Sequence, residues 1–249
     1  MNDVIETLHM VSGATVTANL IKRGLLQCVM AGVKGISDQT GKLIGPAYTL
    51  RNIPRREDKV AGNILADKNY AQRIMLEEAP KGSVVVLDCH GEVNAAIAGD
   101  LMVARLKYRG VAGLVGDGGL RDVKETREMN FPVYCSGFTP NPSTSKMFAF
   151  ELQVPIGCGG VAVYPGDIIF ADNDGVIVIP SQIANEVAEQ CLEQEEIEIF
   201  CRQRVICLWI IYNYSRNIFL LVDNFNIHKN YLSLPSSLIL ALILVAEIS

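Results

Sequence analysis

Several residue types are scarce in this chain or missing from part of it. The 249 residues include three histidines and one tryptophan, and all 21 glycines lie at or before Gly175. Basic residues are outnumbered, with 22 Lys and Arg against 27 Asp and Glu, and they form no run. A net charge of −5 without a basic patch argues against a nucleic-acid-binding surface, so we expect no nucleic-acid partner.

The cysteines lack any pattern that would pair them. There are seven, an odd number, without the spacing of a zinc site or of a disulfide framework. Such residues are typical of reduced thiols inside the cell, so we expect a cytoplasmic protein. The first ten residues, MNDVIETLHM, also lack a basic stretch followed by an apolar run, so we expect no secretory signal there.

The sequence changes character near residue 205. Residues 205–249 are rich in Ile, Leu, Tyr and Asn and hold only two acidic residues, Asp223 and Glu247. The apolar run from Leu232 to Ile248 is interrupted by Pro235 and is short for a membrane-spanning helix, so membrane association is the less favoured interpretation. We predict a domain over residues 1–204 and an atypical apolar tail over 205–249, for which an altered reading frame or read-through is one explanation.

Residues 1–204 alternate between helical and extended patterns as far as residue 131. Helices are predicted at residues 12–23, with Ser12 as the N-cap, and at 70–78, 100–107, 122–129 and 181–204. Strands are predicted at 45–53, 83–89 and 111–115, followed by a strand-rich section over 132–180 with a hairpin turn at 173–175. This order predicts a mixed α/β domain whose second half is a β-rich layer.

The stretch GDGGLRD, residues 116–122, places a cation beside an anion where a short apolar strand ends. The glycines allow a tight turn between the strand and the helix that follows. Arg121 and Asp122 at such a turn can hold a carboxylate and a metal ion at once. An adjacent Arg and Asp in a loop is also the common pattern of a structural or solvated ion pair, so the pair alone leaves both interpretations open.

A second candidate site begins at Gly99, where a loop becomes a helix. The free amides of residues 100–102 point out of the helix N-terminus, and together with the helix dipole they favour an anion. A simple tight turn followed by an ordinary first-turn acid, Asp100, is the alternative. In a parallel βαβ arrangement, however, Gly99 and Arg121 lie at the same end of the sheet, which is the end where ligands bind.

Three stretches resemble the RraA-like family, which includes 4-hydroxy-4-methyl-2-oxoglutarate aldolases and the regulator of ribonuclease activity A. They are GDLMVARLKYRGVAGLVGDGGLRDVKE (99–125), FPVYCSG (131–137) and VPIGCGGVAVYPGDIIFADNDGVIVIP (154–180). The resemblance extends from about Ser12 to about Arg204. It implies a single α/β domain with three layers, β/β/α, of the swivelling-domain type, assembled as a homotrimer or as a hexamer of two trimers.

The resemblance also implies a class II pyruvate aldolase that depends on Mg²⁺ or Mn²⁺. The substrate would be a 4-hydroxy-2-oxo dicarboxylic acid such as 4-hydroxy-4-methyl-2-oxoglutarate, which is cleaved to pyruvate and an oxo acid. Oxaloacetate decarboxylation would use the same enolate. In the family pattern the substrate carboxylate is bound by the backbone at Gly99, Asp100, Leu101 and Met102, Arg121 binds substrate, and Asp122 ligates the metal. A carboxylate suits a hard divalent ion better than a thiol does.

Further acids complete the implied site. Asp100, with Arg121 and Asp122, is predicted to be catalytic, and Asp100 and Glu125 are candidates for holding metal-bound waters or moving protons. In the family the active site lies between subunits, and an acid from a neighbour's C-terminal region can contribute; Glu195 and Glu196 are the candidates here. The alternative function is that of a non-enzymatic regulator that binds a ribonuclease. Such members tend to lack the Arg–Asp pair, so its presence favours the enzyme.

Overall fold

The computed structural model describes residues 2–37, 41–60 and 64–200. The helices are α1 (Asn2–His9), α2 (Gly13–Lys22), α3 (Ala71–Glu78), α4 (Asp100–Tyr108) and α5 (Val123–Glu128), followed by α6, which is helical over residues 184–200. The predicted N-cap of α2 is confirmed, since Ser12 Oγ accepts the amide of Thr15 at 3.2 Å. The domain boundary predicted at residue 204 and the tail over 205–249 lie outside the described residues.

Twelve strands occur in the described ranges. They are β1 (Lys34–Gly35), β2 (Leu43–Pro54), β3 (Val84–Asp88), β4 (Gly113–Gly116), β5 (Gly119–Leu120), β6 (Val133–Cys135), β7 (Gly137–Phe138), β8 (Met147–Leu152), β9 (Ile156–Cys158), β10 (Val161–Val163), β11 (Ile168–Ala171) and β12 (Val176–Ile179). Single 3₁₀ turns cover Ile64–Ala66, Ser143–Ser145 and Ser181–Ile183.

One mixed sheet forms the centre of the fold. Its strand order is β1-β6-β4-β3-β2-β11-β12, and β8 pairs with the final residues of β2. Strands β2, β3, β4 and β6 are parallel, whereas β11 and β12 continue the sheet as the antiparallel hairpin that the sequence predicts at 173–175. Two smaller sheets pair β9 with β10 and β5 with β7. The parallel strands end at one edge, where the loops that follow them come together.

The central strands are buried on both faces, as their continuous apolar sequence predicts. All five residues of β3 are buried. Val85 and Leu87 pack with α3 and α4 on one face, whereas Val84 and Val86 pack with β9, β10 and β11 on the other. Helices on one face of the sheet and strands on the other give the predicted three-layer β/β/α arrangement.

Helices α1, α2 and α6 form a third apolar cluster against β11 and β12. Two carboxylates hold the start of α2. Asp172 Oδ2 accepts the amide of Gly13 at 2.9 Å, and Glu195 Oε2 accepts the hydroxyl of Thr15 at 2.8 Å and the amide of Ser12 at 3.2 Å. Negative charge is favourable at a helix N-terminus, so both acids stabilise this end of α2.

The chain divides into two compact units, Met1–Glu195 and Glu196–Ser249. The second unit is described only over residues 196–200, which are helical. Among the helices in the described ranges, none has the length and the hydropathy that crossing a bilayer requires. The five described cysteines are buried and form no disulfide with one another.

Candidate active site

The loop before α4 runs beside the turn that carries Arg121. The amide of Gly119 donates to the carbonyl of Ala95 at 3.0 Å, and the amide of Arg121 donates to the carbonyl of Ala98 at 3.2 Å. These bonds join the loop before α4 to β5 and to the residue that follows it, beyond the end of β4. They bring Gly99, the N-cap residue of α4, against Arg121, as the βαβ argument from sequence predicts.

Gly99, Arg121 and Asp122 are in close contact. Arg121 Nε lies 3.3 Å from Asp122 Oδ2, and the same oxygen lies 3.4 Å from the amide nitrogen of Asp100. A Cβ atom at Gly99 would stand 2.6 Å from Asp122 Oδ2 and 2.7 Å from Arg121 Nε. Because φ at Gly99 is −125°, glycine is needed for this close approach and not for its backbone conformation.

The backbone of Asp122 has the left-handed conformation, with φ 52° and ψ 44°. Asp and Asn are the non-glycine residues that adopt this conformation most readily. The turn into α5 therefore suits Asp or Asn at this position, and Asp122 places its carboxylate at the start of α4. The side chains of Arg121 and Asp122 are 42% and 38% exposed, which leaves both accessible to a ligand.

The amides of the first turn of α4 already contact carboxylates. Asp122 faces the amide of Asp100, and the carboxylate of Asp100 itself accepts the amide of Leu101 at 2.8 Å. These contacts show that the helix start attracts carboxylate oxygens, as its dipole predicts.

A cavity of about 300 Å³ opens at this point. Three of the predicted site residues with backbone roles, Gly99, Leu101 and Met102, line it together with Arg121. The remaining wall comes from α3 and from the segments around residues 65, 96–98 and 142–144; it consists of Leu65, Gln72, Arg73, Leu76, Glu77, Ala96, Ala98, Pro142, Ser143 and Thr144. Arg121 and Asp122 also line a second cavity of about 360 Å³, beside Phe138.

The other predicted acids form no hydrogen bond or ion pair with Arg121 or Asp122 among the described residues. Glu125 is exposed on the first turn of α5, and its side chain contacts no described residue by hydrogen bond or ion pair. Glu195 is engaged at the N-terminus of α2 by Ser12 and Thr15. The structure therefore brings together Gly99, Asp100, Leu101, Met102, Arg121 and Asp122, and it gives Glu195 a structural contact within its own chain.

A divalent cation fits the donor atoms of Asp122. Arg121 and the amide of Asp100 lie at Oδ2, whereas Oδ1 accepts no hydrogen bond from the described residues. Mg²⁺ in proteins is commonly held by one or two carboxylates and several waters. In the part of the chain that the structure describes, no group of three His, Cys, Asp or Glu side chains could enclose a metal, so Asp122 with water and ligand oxygens is the arrangement these residues allow.

Two buried acids, Asp117 and Asp88, hold backbone amides near the site, which the sequence did not predict. Asp117 accepts the amides of Cys89 at 2.6 Å, Gly91 at 3.1 Å and Gly159 at 3.3 Å. Asp88 accepts the amide of His90 at 3.2 Å, and burial raises the pKa of its carboxyl. The sequence pattern that could have indicated them is an acid at the end of a buried strand. Asp88 is the last residue of β3, and Asp117 directly follows β4.

The cavity wall on α3 was also missed. Arg73 and Glu77 lie one turn apart on this helix. Arg105 of α4 donates to Glu77 Oε1 at 3.1 Å through Nε and also contacts Oε2 through Nη2, and these hydrogen bonds lower the pKa of the Glu77 carboxyl. No local pattern in the sequence distinguishes these side chains from the charged surface of an ordinary helix.

Comparison with known proteins places this geometry in a family. The family model described as RraA-like: Aldolase/RraA matches residues 9–178. A protein of Halalkalibacterium halodurans named "Putative 4-hydroxy-4-methyl-2-oxoglutarate aldolase" is 31% identical over 188 residues, which are 72% of this chain and 83% of that protein. Protein DlpA of Legionella pneumophila is 36% identical over 172 residues; the match covers 69% of this chain and 26% of DlpA.

A solved structure agrees with these matches. The crystal structure of Streptomyces coelicolor RraAS2, described as an unusual member of the RNase ES inhibitor RraA protein family, has a TM-score of 0.73 and 34% sequence identity. The alignment covers 81% of this chain and 96% of that chain. Sequence and fold thus agree over the same α/β domain, and the chain belongs to the RraA-like family.

Proposed function

We propose that this protein is a divalent-metal-dependent pyruvate aldolase that cleaves a 4-hydroxy-2-oxo dicarboxylic acid, such as 4-hydroxy-4-methyl-2-oxoglutarate, to pyruvate and an oxo acid. The observation that carries the proposal is the contact between Arg121, Asp122 and the N-terminus of α4 at the mouth of one cavity. The relative from Halalkalibacterium halodurans, whose name gives this activity, supports it.

The reaction requires stabilisation of negative charge. The 4-hydroxyl loses its proton, the bond between C3 and C4 breaks, and its electron pair forms the enolate of pyruvate while C4 becomes a carbonyl. The enolate then takes up a proton at C3. Charge develops on the 2-oxo oxygen, so groups already aimed at that oxygen lower the barrier.

In this proposal each predicted residue has a distinct task. The amides of Leu101 and Met102 bind the carboxylate next to the 2-oxo group, and Arg121 donates to the 2-oxo oxygen. Asp122 holds Mg²⁺ or Mn²⁺, which when bound supplies positive charge for the developing enolate. Asp100 and Glu125 are the candidate acids for moving the proton of the 4-hydroxyl group. Asp100 lies directly at the start of α4.

The test is pyruvate release, measured with a coupled lactate dehydrogenase assay in Mg²⁺ and in chelator. Asp122→Asn keeps a residue that tolerates the left-handed backbone and removes the charge, and Arg121→Ala removes the guanidinium. We expect each to lower kcat by at least about 100-fold, the effect of losing one preorganised charge-stabilising group. Arg51→Ala is the matched control, because Arg51 and Glu151 form a surface pair of similar exposure, 37% and 42%.

An absence of metal-dependent turnover by the folded protein on several 4-hydroxy-2-oxo acids would contradict the proposal. Oxaloacetate decarboxylation is proposed for the same site, because loss of CO₂ from oxaloacetate leaves the same pyruvate enolate. Asp122→Asn should therefore lower both activities in parallel. A decarboxylase activity that survives this substitution would separate the two reactions.

We also propose a homotrimer or a hexamer as the active assembly, with a small-molecule oxo acid as the ligand. Sedimentation velocity measures the assembly directly, and a monomer with full activity would contradict it. Glu196 remains the C-terminal acid that such an assembly could place at a neighbour's site. Glu196→Gln and Asp122→Asn chains that are inactive alone should regain activity when mixed if the site is shared between chains.

Binding to a ribonuclease is the second candidate function. The description of the Streptomyces coelicolor relative as a member of an RNase ES inhibitor family favours it. Inhibition of RNA cleavage that persists in Arg121→Ala, in a protein without pyruvate release, would support this candidate over the aldolase.

A further inference from the structure

The charged side chains that line the 300 Å³ cavity differ in whether they form ion pairs. Its charged lining residues are Arg73, Glu77 and Arg121. Glu77 is engaged by Arg105, and Arg121 lies against Asp122. Arg73 Nη1 donates to the carbonyl of Leu65 at 2.8 Å, and among the described residues no carboxylate lies within 4.0 Å of its guanidinium. The cavity therefore contains one cation that forms no ion pair with a described acid, although Glu77, one turn away on α3, interacts with it at longer range.

Arg73 lies on the wall formed by α3, beside the start of α4. The neighbouring residue, Gln72, contacts Met102 through its side-chain amide, with Nε2 3.3 Å from Sδ. The first turn of α3 and the first turn of α4 therefore flank the same opening. Arg121 approaches the opening from the turn that precedes α5, so two guanidinium groups from different elements face one small cavity.

A ligand with two anionic groups matches this arrangement. Arginine binds carboxylates through two parallel N–H donors, keeps its charge at any physiological pH, and is more specific in direction than lysine. The other polar lining side chains, Gln72, Ser143 and Thr144, are neutral. A cavity of this volume is at the lower end of the range for small-molecule sites, which suits an acid of five or six carbons.

We propose that Arg73 binds the second carboxylate of the substrate and thereby sets a preference for dicarboxylic over monocarboxylic 2-oxo acids. This inference rests on the proposed function for the position of the 2-oxo end at α4 and Arg121. Arg73 is a specificity-determining residue in this scheme. It acts on the end of the substrate that leaves as the second oxo acid, away from the enolate.

The kinetic experiment compares 4-hydroxy-2-oxoglutarate with 4-hydroxy-2-oxopentanoate, which lacks the second carboxylate. Arg73→Gln should lower kcat/KM for the dicarboxylic substrate about tenfold, mainly through KM, and leave the monocarboxylic substrate unchanged, as expected for one charge-assisted contact at a partly exposed site. Arg73→Lys should recover part of the loss. Arg109→Gln is the matched control, since Arg109 is an exposed arginine at the end of α4 outside the cavity lining.

A binding experiment separates this inference from the aldolase proposal. In Mg²⁺, calorimetric titration of the wild type with the unreactive acids 2-oxoglutarate and 2-oxopentanoate should show tighter binding of the dicarboxylate, and Arg73→Gln should abolish the preference. If this holds without pyruvate release from any substrate, the aldolase proposal fails and the role of Arg73 stands. Equal affinity of the wild type for the two acids, or an equal loss for both in Arg73→Gln, overturns the role of Arg73.

Discussion

The substitution Gly99→Ala inserts a methyl group between α4 and the Arg121–Asp122 turn. The added Cβ would stand 2.6 Å from Asp122 Oδ2 and 2.7 Å from Arg121 Nε, whereas ordinary contact begins at 3.4 Å. The two side-chain atoms must therefore retreat by about 0.8 Å and 0.7 Å, the differences between these distances. A displacement of about 1 Å at reacting groups can cost ~100-fold in rate, so we expect kcat/KM for pyruvate release to fall by about 10- to 100-fold.

The fold should tolerate the same change. The backbone at Gly99 has φ −125°, which alanine adopts freely, and the atoms that must move belong to partly exposed side chains. Alanine is a weaker N-cap than glycine, so the free energy of unfolding should change by no more than about 1 kcal/mol in urea titration. Gly157→Ala is the control, because nothing lies within 4 Å of a Cβ placed there. Wild-type kcat/KM in Gly99→Ala would refute the argument that close approach positions this site.

Three further predictions concern stability and reactivity. Ser12→Ala removes the cap of α2 and should lower the free energy of unfolding by about 1 kcal/mol in urea; an unchanged midpoint would show that Glu195 alone suffices. Burial raises the pKa of the Asp88 carboxyl above its ordinary value of 3.8. Its contribution to the free energy of unfolding therefore falls as pH rises from 3.8 through the raised pKa. Asp88→Asn should remove this pH dependence of the free energy of unfolding, measured by urea titration at several pH values. Burial raises the pKa of Cys135 and of Cys191 to about 11, so iodoacetamide at pH 8 should label them only after unfolding; mass spectrometry that finds either labelled in the native protein would contradict this.

The local elements and one long-range contact could be predicted from the sequence. The run SVVVLDC is continuous in apolar residues and forms the fully buried strand β3. Gly99 and Arg121 meet because two parallel strands joined by α4 must end at the same edge of the sheet. That rule depends only on the order of the elements, so the pattern of strands and helices is enough to apply it.

Contacts between segments with no shared pattern could not be predicted in this way. Strand β8 pairs with the end of β2 across about a hundred residues, and the sequence around Met147 does not indicate that partner. The position of Arg73 on the cavity wall depends on how α3 packs beside α4, which is a tertiary property. The left-handed backbone at Asp122 is compatible with its residue type, but the preceding glycines would also allow other turns.

The carboxylate of Asp117 has a consequence for the motions of the loops beneath the site. Its two oxygens accept amides from the loop after β3 and from the turn between β9 and β10, so three amide hydrogens depend on one side chain. Local opening that releases Asp117 exposes all three to solvent together. The amides of Cys89, Gly91 and Gly159 should therefore exchange with deuterium as one cooperative group, although Gly91 and Gly159 are 68 positions apart in the sequence.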